Sequence, residues 1–185
     1  MIFPLFRRPQ RSDTISSLYG MIVAQARRPV FYREYGVADT VDGRFDLLLL
    51  HIALVVERLM REETGKVCGQ GLFDRFCADM DDNLREMGIG DMSVPRHMKR
   101  VGEAFYGRTQ AYQAALAAAD DQALAEALVR NIYGGATSSA AAVSHLAAYI
   151  RRLASALAVQ PVAALIEGHV DLPDPAAIVP AVEQA

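Results

Sequence analysis

Residues 44–63, RFDLLLLHIALVVERLMREE, carry an apolar run from Leu47 to Val56 that only His51 interrupts. A surface helix shows one apolar stripe, but this segment is apolar on nearly every side through its middle, the mark of a helix surrounded by others. The run is well short of the ~20 apolar residues that a membrane span needs. It is read as the central helix of an all-α fold, with Leu47, Leu50, Leu54 and Val55 deep in the core. His51, on this apolar helix, is expected to be a neutral imidazole hydrogen-bonded to a backbone or hydroxyl group.

Working outward, caps and breakers place the other helices. Ser12 or Asp13 caps a first helix that ends at Arg28 before Pro29, with Ile15, Leu18 and Ile22 on one face. The segment Val30 to Gly43, rich in aromatics and turn residues, reads as an ordered loop packed on the core. A third helix, Leu72 to Met87, repeats Phe73, Cys77, Met80, Leu84 and Met87 on one face and carries Asp74, Asp81, Asp82 and Arg85 on the other. Gly88 suits the position just past its end. A fourth helix runs from Ser93 to Ala118 with Met98, Val101, Phe105, Tyr112 and Leu116 as its stripe. Asp120 or Asp121 caps a fifth that ends at Tyr133. Thr137 or Ser138 opens a sixth, striped by Val143, Leu146, Ile150, Leu153 and Leu157, and these two form an αα-hairpin. A brief seventh starts at Pro161. The expected architecture is one all-α domain of six or seven helices. Residues 1–11 form a basic N-terminal arm, 12–170 the helical domain, and 171–185 a loose, proline-interrupted tail.

Composition narrows the function classes. The 185 residues are 52% hydrophobic, lack Trp and carry a net charge of -3, so no basic excess points to DNA. Cys68 and Cys77 belong to no C-x-x-C pair and read as buried thiols of a reducing compartment. The N-terminus, MIFPLFRRPQR, places apolar residues before its arginines, the reverse of a secretory signal, and no export is expected.

Two enzymatic chemistries make spacing demands. Carboxylate-bridged metal bundles need Glu-x-x-His on facing helices, and the chain contains none. Isoprenoid synthases of helical architecture use Asp-Asp-x-x-Asp for magnesium, but after Asp81-Asp82 the fifth position is Arg85, and Asp120-Asp121 lacks the rest of the pattern. Neither His51 nor His97 has a Ser or Cys partner at a signalling distance in sequence. No catalytic residue, metal or cofactor is expected, and an all-α enzyme of isoprenoid or lipid metabolism with a helix-lined pocket is the alternative. Arg96, His97, Lys99 and Arg100 form a local basic cluster, read as a solvated face.

Three blocks carry a resemblance: LYGMIVAQARRPVFYREYGVADTVDGRFDLLLLH from Leu18, LFDRFCADMDDNLREMGIGD from Leu72, and MKRVGEAFYGRTQAY from Met98. Together, from about Leu18 to Tyr133, the chain resembles the bacterial branch of the ubiquinol-cytochrome c chaperone family, with LREMGIGD and AFYGR as its most specific blocks. The sixth helix and the tail match only in character. The resemblance implies an assembly chaperone that binds newly made cytochrome b for the ubiquinol-cytochrome c reductase (bc1) complex, without a cofactor. Further partners it implies are the ribosome and a second assembly factor. The long N-terminal extension of the mitochondrial members is missing, so the implied place is the cytoplasm at the inner face of the bacterial inner membrane. Arg7, Arg8, Arg11, Arg27 and Arg28 suit contact with ribosomal RNA or anionic lipid.

A holdase for membrane helices needs exposed apolar surface, and methionine suits it because the thioether adapts its shape. Met80, Met87, Met92 and Met98 cluster around the third helix, its turn and the fourth. The candidate client-binding or motif residues are Met80, Leu84, Arg85, Met87, Gly88, Gly90, Asp91, Met98, Lys99, Phe105, Tyr106, Arg108 and Tyr112. Arg108 falls in the apolar stripe between Phe105 and Tyr112, so its charge needs a partner. Asp46 or Glu57 on the central helix is the expected one, with direct client contact as the other reading.

Overall fold

The central helix opens at Thr40, whose Oγ1 accepts a hydrogen bond from the Gly43 backbone N–H at 3.1 Å, satisfying one donor that a helix start leaves free. The computed structural model describes residues 7–118, 120–135 and 139–178, with side chains from residue 12 onward. Its helices are α1 (Arg7–Ala26), α2 (Val30–Arg33), α3 (Val41–Met60), α4 (Lys66–Glu86), α5 (Val94–Ala117), α6 (Gln122–Asn131), α7 (Ala140–Val159) and α8 (Val162–Ile166). Single 3-10 turns lie at Glu63–Gly65 and Pro175–Ala177. No strand occurs among the described residues. Every residue of α3 from Leu47 to Val56 is buried, each large aliphatic stabilising by about 1.5–3 kcal/mol relative to exposure. Around it pack α1, α4, α5, α7 and α8, while α6 bridges α5 and α7. The hub reading of this segment holds.

The boundaries differ most at two starts: α1 begins at Arg7, so the expected caps Ser12 and Asp13 lie inside it, and α4 starts at Lys66 and not at Leu72. Gly69 and Gly71, which look like breakers in sequence, let neighbouring helices approach. A Cβ on Gly69 would lie 3.1 Å from Met60 Sδ, and one on Gly71 would lie 2.5 Å from Ile15 Cδ1. At the other end α4 closes in a Schellman motif. Ile89 N–H donates to Leu84 O at 3.0 Å, Gly88 N–H donates to Arg85 O at 2.9 Å, and Gly88 takes φ +80°.

The loop expected over Val30 to Gly43 begins as the short α2, with Phe31 and Tyr35 fully buried. The sixth expected helix, α7, is capped by Ser139 Oγ accepting from Ala142 N–H at 3.1 Å; the expected caps Thr137 and Ser138 lie outside the described residues. So do residues 179–185 and the arginine side chains at 7, 8 and 11. The described part of the tail departs from the expectation of looseness. Residues 171–175 cross the cleft between α1, α2 and α7 as an extended strap, and Pro175 is buried.

Beneath the strap runs a buried polar chain. Gln25 Nε2 donates to Pro173 O at 2.7 Å and to Tyr149 Oη at 2.9 Å. Tyr149 Oη lies 2.9 Å from His51 Nε2, and His51 Nδ1 lies 2.8 Å from Leu47 O. A carbonyl only accepts, so Nδ1 carries the proton and Tyr149 donates to Nε2. The imidazole is satisfied as a neutral group, and burial pushes its pKa down to about 4. The expectation for His51 is met on both nitrogens.

Candidate functional site

An aromatic ladder climbs from the hub to solvent where α3, α4 and α5 meet. Phe45 on α3 stacks on Phe76 of α4 at 6.3 Å between ring centres. Phe76 meets Phe105 of α5 at 6.1 Å, and Phe105 meets Phe73 at 4.7 Å. Tyr106 lies 5.7 Å from Phe73 and ends the ladder, 60% exposed. The buried face of α4 carries Cys68, Leu72 and Phe76, while the expected stripe is half-buried at Phe73, Cys77, Met80 and Leu84 and exposed at Met87. Tyr106 sits one position off the α5 stripe, which turns it outward.

The ladder forms one wall of a groove of about 240 Å³ lined by Val56, Met60, Phe73, Phe105 and Tyr106, with Glu57, Gln70 and Gln113 among its polar lining. On the other side of the α3–α5 contact lies a second groove of about 320 Å³, lined by Leu54, Leu116, Ala154, Leu157 and Ala158 with Arg58, Arg61 and Arg151. Glu57 and Gln113 line both, so the pair makes a two-part trough along the α3–α5 contact. Its apolar floor and polar rim are the form in which a groove receives an amphipathic helix. The alanines of α7 let a guest backbone approach closely.

The residues singled out in sequence fall into three places. Gly88, Gly90 and Asp91 build the α4–α5 turn, where Gly90 O accepts from Ser93 N–H at 2.8 Å. Arg85 ties this turn down through Asp81 at 2.6 Å and through Asp91. Met92 projects from it 96% exposed and Met87 57% exposed, and Lys99 is exposed one turn into α5. Met80, Leu84 and Met98 are half-buried. Phe105 and Tyr106 line the trough. Arg108 and Tyr112 point inward: Arg108 pairs with Asp46, and Tyr112 is fully buried. Burial pushes the Tyr112 phenol well above its ordinary range, and its hydroxyl and the Asn131 amide nitrogen of α6 are buried without a hydrogen-bond partner among the described residues. Glu57 pairs instead with Arg61 at 3.1 Å. Cys68 is buried and Cys77 half-buried.

Sequence reading missed Met60, Val56, Leu54 and the α7 wall. No local pattern signals them: Leu54 and Val56 read as core and are buried, and Met60, 40% exposed, sits among charged residues at the end of α3. Among the described residues no group of His, Cys, Asp and Glu is placed to hold a metal ion, and no helix is long and apolar enough to cross a membrane. Asp81 of the Asp-Asp pair is engaged by Arg85.

Comparison with known proteins locates this architecture. The family model described as ubiquinol-cytochrome C chaperone matches residues 33–172. The chain belongs to that family. The match extends through α7 to the strap, beyond the blocks legible in sequence. The chain is 24% identical over 136 residues to ubiquinol-cytochrome-c reductase complex assembly factor 1 of Xenopus laevis, covering 73% of this chain and 68% of the frog protein. It is 28% identical over 149 residues to the assembly factor 1 of Drosophila melanogaster, covering 76% of this chain and 56% of the fly protein. The crystal structure of the Cbp3 homolog from Brucella abortus superposes with a TM-score of 0.85 at 40% identity, covering 95% of this chain and 98% of that one. The family is one of assembly chaperones, and the named relatives are assembly factors, not enzymes.

Proposed function

We propose that this chaperone binds newly made cytochrome b in the α3–α5–α7 trough and holds it for assembly into the bc1 complex. The observation that carries the reading is the pair of mainly apolar grooves that share Glu57 and Gln113, with Tyr106 60% and Met60 40% exposed in the lining of one of them. A membrane-protein helix has apolar surface all round, and burying it against such a floor keeps it from aggregating. The exposed Met92, with Arg96, Lys99 and Arg100 on the following turn, supports a peripheral contact of the α4–α5 end with the anionic inner face of the membrane. A ribosome or a second assembly factor as a further partner rests on the family alone.

The test is photo-crosslinking in living cells from a benzoylphenylalanine placed at Tyr106 or Ala154, with Arg33 as a site away from the trough. Capture of cytochrome b from the first two positions and not the third is the expected result. Normal levels of assembled bc1 complex in a deletion strain grown where it depends on that complex would overturn the reading.

A further inference from the structure

The strap is held through its main chain, on alternate residues. Gln160 grips Asp171 with both ends of its amide: Oε1 accepts from Asp171 N–H at 2.8 Å, and Nε2 donates to Asp171 O at 2.9 Å. Gln25 Nε2 donates to Pro173 O at 2.7 Å, and Tyr35 Oη donates to Pro175 O at 2.7 Å. Residues 171, 173 and 175 therefore turn peptide groups toward the protein, along a stretch that is extended up to Asp174 and ends where Pro175 opens the 3-10 turn Pro175–Ala177. Between them Asp174, with φ -68° and ψ 114°, sends its carboxylate to Arg28 at 2.8 Å. The side chains of Asp171, Asp174, Ala176 and Ala177 are exposed, Pro175 is buried, Pro173 is half-buried, and Leu172 and Ile178 pack half-buried against the core.

The receptor side is rigid and prepaid in hydrogen bonds. Gln25 is fixed from behind by the Tyr149–His51–Leu47 chain. Tyr35 is fixed by Tyr133 Oη, which donates to Tyr35 O at 2.7 Å, and by ring contacts with Phe31 and Tyr149 at 5.3 and 6.1 Å. Aromatic walls with phenol and amide donors aimed at carbonyls are how proline-rich extended peptides are recognised, since such peptides present carbonyls and lose little entropy on binding.

We propose that the cleft between α1, α2 and α7 is a receptor for extended peptides of the type proline-acid-proline, and that residues 171–175 occupy it as an exchangeable ligand in cis. The guest is an unfolded or loop segment of another polypeptide, read by its carbonyls, by one proline ring in the Pro175 position and by one carboxylate opposite Arg28. This site is separate from the trough and stands whether or not cytochrome b is the client.

A tethered ligand competes at an effective concentration in the millimolar range, so a free peptide binds the wild-type chain weakly. Asp174→Lys places a cation beside Arg28 and weakens the occupant at an exposed position. The full-length variant, its fold checked by circular dichroism, is titrated with fluorescent acetyl-DLPDPAAI-amide and with the same peptide carrying Lys in place of its second Asp. The expected result is at least tenfold tighter binding of the Asp peptide to the variant than to wild type, with no gain for the Lys peptide. Equal binding of both peptides, equal binding to both proteins, or no binding overturns the proposal. Hydrogen exchange on the wild-type chain gives an independent readout should the variant fail to fold. Amides at 171, 172 and 174 should exchange faster than those of α7 and faster still with excess peptide. Strap amides that open only with the whole fold, unmoved by millimolar peptide, would equally sink the idea.

Discussion

Arg108 of α5 donates to the carboxylate of Asp46 on α3, 62 positions earlier, while its guanidinium carbon lies 5.9 Å from the centre of the Phe45 ring. Both side chains are largely covered, and burial raises the Asp46 pKa although the Arg108 hydrogen bond and charge pull it down. Desolvation thus outweighs attraction at this carboxyl, so the pair fixes the register of α5 on the hub more than it adds stability.

Removing one partner should accordingly cost more than removing both. Arg108→Met leaves Asp46 covered and unpaired and should lower stability by about 2–4 kcal/mol, whereas Arg108→Met with Asp46→Leu should recover at least half of that. In the single variant Asp46 is pushed further up. Its unpaired charge is then a penalty that grows as pH rises through the folded pKa, so the variant should regain stability between pH 7 and pH 5. Urea melts of the two variants at both pH values check this, and a double variant no better than the single would refute it.

His51 gives the protein an acid-sensitive core. Its folded pKa of about 4 lies below the ordinary value of 6.5, so between those values the unfolded chain binds a proton that the fold refuses. Stability should fall as pH drops through this window, by about 1.4 kcal/mol per pH unit from this group. His51→Leu should be less stable at pH 7, because Tyr149 loses its acceptor, yet show a flatter profile from pH 6.5 to 4.5. Parallel profiles for the two proteins would show that another group sets the slope.

Gly43 and Gly102 should respond to alanine in opposite directions. A Cβ on Gly43 would lie 2.1 Å from the Ala38 carbonyl oxygen, whereas one on Gly102, inside α5, meets nothing within 4 Å. Gly43→Ala should cost about 1–3 kcal/mol through overpacking at the start of α3. Gly102→Ala should gain about 0.5–1 kcal/mol from helix propensity. Thermal melts separate the two, and a stabilised Gly43→Ala would contradict the close approach.

What was legible in the sequence was whatever a period or a cap encodes. The hub announced itself by apolarity on all sides, and the inward aim of Arg108 followed from its place in the α5 stripe, with Asp46 or Glu57 as the expected partner, of which the structure shows Asp46. The start of α4 was hidden because Gly69 and Gly71 serve contacts with Met60 and Ile15 that no local pattern reveals. The strap was hidden for a different reason: its anchors are the carbonyls of Pro173 and Pro175 and the peptide groups of Asp171, which every sequence carries. The trough is made of gaps between helices, α3, α4 and α5 in one groove and α3, α5 and α7 in the other, and a gap has no residues of its own to read. Tyr106 was legible as a candidate, but Met60 beside it and Ala154 in the other groove were not.

The trough makes a demand that separates surface from scaffold. Tyr106 closes the aromatic ladder from outside and is 60% exposed, so truncating it removes binding surface while leaving Phe73 and Phe105 in contact. Tyr106→Ala should therefore shift stability by at most about 0.5–1 kcal/mol. Ala154→Arg, on the α7 wall of the second groove, fills the space where a guest helix would approach without entering the core. Both variants should fold and both should lose cytochrome b capture severalfold, whereas Met92→Ala, at the α4–α5 turn away from the trough lining, should keep it. Capture is measured by co-purification from cells expressing each tagged variant at equal level, with the melting temperature recorded alongside. Loss of capture in step with loss of stability would assign these residues to the scaffold, and undiminished capture by Ala154→Arg would remove the second groove from the binding surface.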